Sequence, residues 1–84
     1  MDAKRDVLDI WKERISKETQ RGDKTRACGK VGVTLTTFQS AMRRATLFDL
    51  KDGELKVLQA LIERLDARLQ SIEQIQSKYA KQDN

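Results

Sequence analysis

The sequence predicts an all-α protein, a small domain of short helices followed by one long C-terminal helix. Two observations carry this. The chain contains no proline and only four glycines, each standing alone, so it has few of the breaks that a succession of short strands requires. From Leu55 onward, Leu58, Ile62, Leu65, Leu69, Ile72, Gln76 and Tyr79 follow at alternating spacings of three and four, the a/d pattern of a helix that packs along one seam.

The other elements follow in order. A first helix is predicted from Asp6 to Gln20. Leu8, Trp11 and Ile15 fall at i, i+3 and i+7 with Val7 beside them, and Arg21-Gly22 ends it. A second runs from Asp23, a candidate N-cap, to Val31, with Ala27, Cys28 and Val31 facing inward. Gly32 supplies the turn, because glycine enters positive φ at little cost. Thr34 is the next N-cap, opening a helix to about Thr46 with Phe38, Ala41, Met42 and Ala45 on its buried stripe. Thr36, Ser40 and Arg43 lie opposite that stripe, flanked by Thr37, Gln39 and Arg44, and no acidic residue interrupts them.

In the linker TLFDLKDG, Leu47, Phe48 and Leu50 can pack back on the core, and Asp52 can cap the last helix, Gly53 to Lys81. That helix would be roughly 40 Å long at 1.5 Å per residue. Residues 1–50 cannot bury its whole stripe. Leu55 to Ile62, with Leu61, are expected to cover the core, and Leu65 to Tyr79 to meet another chain.

Composition narrows the function. With 84 residues there is room for one core, and charged residues (36%) nearly equal hydrophobic ones (38%), so self-association would add stability. Residues 1–46 hold eleven Lys/Arg against six Asp/Glu, a charge of +5. Residues 47–84 hold six against seven, a charge of −1. A basic front half suits an anionic partner. The single cysteine, Cys28, has no intramolecular partner, and the absence of histidine removes Cys/His metal sites. With no phosphate-binding glycine loop and Cys28 on a buried face, neither an enzyme nor a cofactor is expected. No apolar run has the length of a signal peptide or a membrane span, and a reduced, cytoplasmic setting is the natural reading.

Residues 24–44, KTRACGKVGVTLTTFQSAMRR, resemble the helix-turn-helix of DNA-binding proteins of the Cro/C1-repressor type. Cys28 takes the small position where two helices cross, Gly32-Val33-Thr34 the turn, and Phe38 the apolar position four residues on. Two residues depart from the pattern: Cys28 stands where alanine is usual, and Leu35 where a polar residue is usual. The resemblance implies that the helix opened by Thr34 enters the major groove of double-stranded DNA. Thr36, Thr37, Gln39 and Ser40 would lie near base edges, with Thr34 also at the DNA-binding face and Gln39 and Arg43 able to reach adenine or guanine. Leu35 would meet a thymine methyl or tuck against the core. Arg43, Arg44, Lys24, Arg26 and Lys30 would hold phosphates.

Residues 1–50 are thus expected to form the DNA-binding domain and residues 51–84 a dimerisation helix. A coiled-coil-like homodimer would use Leu58, Ile62, Leu65, Leu69, Ile72 and Tyr79. Arg68 and Glu73 at g and e positions suit a parallel pair, with antiparallel pairing left open. The reading is a small transcriptional regulator, a repressor by its size, bound to an inverted repeat. No small-molecule ligand or membrane association is expected, since the apolar residues of the basic half are needed for the core. The alternative is an interaction module that docks a protein through the heptad helix without specific DNA binding. RNA binding is disfavoured because Trp11, Phe38 and Phe48 are expected to be buried, leaving no stacking platform.

Overall fold

The computed structural model describes residues 6–80. Its regular elements are α1 (Val7–Glu18), α2 (Asp23–Val31), α3 (Leu35–Met42), a 3-10 turn (Leu47–Asp49) and α4 (Asp52–Ala80). Helices α1, α2 and α3 pack on α4, and the molecule is 50 Å in its longest dimension. No helix among the described residues is long and apolar enough to cross a membrane.

Local chemistry sets each boundary. Asp6 caps α1, its carboxylate accepting from the Leu8 N–H at 2.9 Å. The same oxygen accepts from the Leu47 N–H at 3.1 Å, which ties the 3-10 turn to the start of α1. Helix α2 spans the predicted residues, but Asp23 is not its cap. Gly22, at φ 91°, precedes the helix, and Asp23 is its buried first residue. Gly32, at φ 85°, closes α2, its N–H bonding to the Cys28 carbonyl at 2.8 Å, the left-handed C-cap that favours glycine.

Thr34 caps α3 as predicted, its hydroxyl accepting from the Thr37 N–H at 3.3 Å. The helix stops at Met42, well short of Thr46. The chain tightens there, the N–H groups of Arg43 and Arg44 donating to Ser40 and Ala41, three residues back. The start of α4 is satisfied by Glu54 rather than by Asp52, since the Lys51 N–H donates to the Glu54 carboxylate at 2.9 Å. The predicted end of that helix, Lys81, lies outside the described residues.

The core draws Leu8 and Ile15 from α1, Ala27 and Cys28 from α2, Phe38 and Ala41 from α3, and Val57, Leu58, Leu61, Ile62 and Leu65 from α4. Almost half of it comes from beyond residue 50. The chain therefore does not divide there into a folded domain and a separate helix: α1, α2 and α3 close on α4 from its start as far as Arg68. Helices packed around α4 also widen its buried face past a two-position seam. Val57 and Leu61, off the seam, are fully buried, whereas Leu55, on it, is exposed. Leu47 and Leu50 pack against the core. Phe48 does not, and is 96% exposed. Its neighbours in the turn are held by the Asp6 and Thr46 bonds, which leaves its ring pointing to water.

Among the described residues two carboxylates are buried. Asp23, at the start of α2, accepts from Arg64 Nε and Arg68 Nη2, each at 2.7 Å, and from the Gln20 N–H at 2.7 Å. Glu54, at the start of α4, accepts from Ser40 Oγ at 2.7 Å, from Arg44 Nε and Nη2 at 3.1 Å, and from the Lys51 N–H. Burial of a charge is tolerable only with this degree of pairing.

Candidate nucleic-acid interface

The α2–turn–α3 unit is built as a close helix crossing. Cys28 and Ala27 are buried at the contact, and Cys28 Sγ lies 3.7 Å from the Thr34 carbonyl oxygen. Burial pushes the Cys28 thiol pKa up, so it stays protonated and behaves as a small apolar residue. Val33, half-buried, plugs the turn. The start of α4 presses against it: a Cβ on Gly53 would lie 3.3 Å from Val33 Cγ1, so a larger residue there would require Val33 to give by a few tenths of an ångström.

Helix α3 presents Leu35, Thr36, Gln39 and Arg43 to solvent, at i, i+1, i+4 and i+8 along one face. Among the described residues no hydrogen bond or ion pair occupies these four side chains. Leu35 faces water instead of the core. Thr34 and Thr37 are occupied with each other at the helix start, their hydroxyls 3.4 Å apart.

Ser40 and Arg44 are committed elsewhere. Both bond to Glu54, and the Arg44 carbonyl accepts from the Lys12 ammonium. The Arg44 guanidinium, with the Lys51 N–H and the Ser40 hydroxyl, holds the Glu54 pKa down to about 2. These residues mount the C-terminal end of α3 on α1 and α4. They do not complete its outer face, which is centred closer to Gln39 than the sequence pattern indicated.

The predicted phosphate-binding residues separate into two groups. Arg43 caps the C-terminal end of α3, and Lys24 sits on the α3 side of α2, its Nζ 5.6 Å from the Phe38 ring centroid. Arg26 and Lys30 lie on the other flank of α2, lining a groove with Ala60, Glu63 and Arg64 of α4. Sequence reasoning missed Lys56, which shares that groove with Lys30, because the near-neutral charge of the back half hid where its cations fall. It also missed Glu54. The only signal was its spacing, three residues after Lys51 in the first turn of α4, where a carboxylate can reach back to an unpaired N–H.

The dimer seam is corrected as well. Leu58, Ile62 and Leu65 are buried in this chain's own core and have no surface left for a partner. Leu69, Ile72 and Tyr79 are exposed, joined by Ile75, which the seam did not include. Arg68 is held by Asp23 and the Glu18 carbonyl, so a pairing with Glu73 of a second chain loses its free cation.

Comparison of the chain with protein-family models, with characterised proteins and with solved structures found no match.

Proposed function

We propose that this chain is a sequence-specific DNA-binding transcriptional regulator, a repressor, that recognises an inverted repeat as a homodimer. One observation carries the reading. Leu35, Thr36, Gln39 and Arg43 form a row without carboxylates on a short helix, their side chains unused within the fold. The helix that carries them is capped by Thr34 and bolted to α4 through Glu54. Solubility alone does not require such a row, whereas readout of a major groove requires uncommitted donors and acceptors on a rigid mount.

In this reading Gln39 and Arg43 contact base edges, at about 1–3 kcal/mol of discrimination each. Leu35 meets a thymine methyl, and Lys24 neutralises a phosphate. One such helix buries too little for tight binding, and the exposed apolar row of Leu69, Ile72, Ile75 and Tyr79 offers a second copy a place to pair. Half-sites would then lie about 34 Å apart, or a multiple of that. The same apolar row also supports the second reading, a module that docks another protein without specific DNA binding.

Selection of bound duplexes from a random pool at physiological salt tests the proposal. Enrichment of an inverted repeat is the expected result, with Gln39→Ala plus Arg43→Ala weakening binding by about tenfold or more. Recovery of unenriched DNA would overturn it in favour of the second reading.

A further inference from the structure

We propose that the groove between α2 and α4 docks an acidic α-helical segment of a partner protein. The groove lies on the flank of α2 opposite α3. Lys24 and Cys28 face α3, whereas Arg26 and Lys30 line the groove. At its deepest it encloses about 430 Å³. A shallower continuation past Lys30 reaches Lys56. Between Lys56 and Ser71 it follows α4 for about 22 Å, or four helical turns.

Its chemistry is one-sided. Arg26 and Lys30 are exposed and make no hydrogen bond or ion pair among the described residues. Arg64 spends only its Nε on Asp23, leaving the terminal nitrogens of a guanidinium fork that fits a carboxylate. Lys56 adds a fourth cation at the shallow end, against Glu63 as the exposed carboxylate of the lining. The floor is Ala27, Ala60 and Ala67. Side chains this small let another helix backbone approach and bury a narrow apolar stripe between two rails of cations.

A peptide helix fits this groove better than a phosphate backbone does. Phosphates would bury nothing against the alanine floor, and they would face Glu63 with no compensating group. A peptide can set an amide or a basic side chain there. Because the groove is turned away from α3, docking leaves the face assigned to DNA free, so this inference stands whether or not that assignment holds. The contacts are solvent-exposed, so binding should weaken as salt is raised.

The probe is a synthetic peptide, about four helical turns long, with glutamates along two edges and alanine and leucine between them. Its control carries glutamine at each glutamate. Binding is read by amide NMR shifts and fluorescence anisotropy. Shifts confined to 26–31 and 56–71 are expected. Arg26→Glu plus Lys30→Glu should weaken the peptide by about tenfold or more, Arg26→Gln plus Lys30→Gln by less, and Gln39→Ala plus Arg43→Ala not at all. All four positions are exposed, so the variants keep the fold, and circular dichroism checks that they do. Equal binding of the glutamine control, or indifference to both groove variants, would overturn the proposal. So would nonspecific duplex DNA that displaces the peptide and shifts the same amides, which would assign the groove to phosphates.

Discussion

The two halves of α4 carry the same apolar rhythm and meet opposite fates. From Val57 to Leu65 the helix supplies the centre of the core, and Leu61 and Leu65 are 0% and 2% exposed. From Leu69 onward the spacing continues, yet Leu69 is 46% exposed and Ile72 43%. The changeover falls at Arg68, which among the described residues is the last residue of α4 to hydrogen-bond to the body, through Asp23 and the Glu18 carbonyl. An apolar stripe states that a face is to be buried. It does not say by what, and here one stripe serves two purposes.

If that division is right, the largest effects come from the first half. Leu61→Ala should cost about 2–5 kcal/mol, the transfer of the side chain plus the cavity left among α1, α2 and α3. Urea denaturation gives the value, and a loss below about 1 kcal/mol would show that this half is not closed. Asp23→Ala should come next, at about 3 kcal/mol, because it leaves Arg64 and Arg68 facing each other and the Gln20 N–H without its acceptor. A cost near zero would mean that solvent already screens the pair and that α2 is held on α4 by apolar contact alone.

The same half should set the acid response. The pKa of Glu54 lies at about 2 in the fold against 4.5 for a free side chain, and Asp23 is likewise held below its ordinary value, first by Arg68. Both pKa values are depressed by folding, so their stabilisation is complete above the unfolded values. It is lost as pH falls through the folded ones. Urea midpoints should therefore hold from pH 7 to about pH 5 and decline below about pH 4.5. Glu54→Gln should flatten the decline while lowering the plateau. A parallel decline in that variant would remove Glu54 as its source.

The sequence made the helices legible where periodicity and caps agree. The bounds of α2, the cap at Thr34 and the turn at Gly32 could all be read from it, because each is enforced by residues within a few positions. What could not be read was settled across the fold. Ala45 continues the apolar spacing of α3, and no glycine or proline stops it, yet the helix ends at Met42. Asp23 resembles a cap because a cap and a buried counter-ion are the same residue type, and the arginines that distinguish them lie more than 40 residues away. Phe48 resembles a core residue by type alone. At the candidate interface Gln39 and Arg43 were named correctly as outward residues, while Ser40 and Arg44 were lost to Glu54, a partner across the linker. Individual helix faces could be read, but not which polar residues on them were already occupied.

The smallest effect sharpens the comparison most. Leu69→Ser with Ile72→Ser replaces two exposed residues on the projecting half that line an open hollow beside Glu18 and Gln20. At concentrations where the wild type is monomeric, the pair should change stability by about 0.5 kcal/mol or less, against several for Leu61→Ala. A second copy would contribute only at higher concentration. The wild-type melting temperature should then rise with concentration, and that of the double variant should stay flat. Leu65→Glu could not make this distinction, because Leu65 is a core residue and its loss would unfold the monomer. A cost of 2 kcal/mol or more in dilute solution would place Leu69 and Ile72 in the core after all and erase the difference between the halves. Concentration-independent melting of both proteins would keep that difference but remove the homodimer, leaving the exposed row to a different partner.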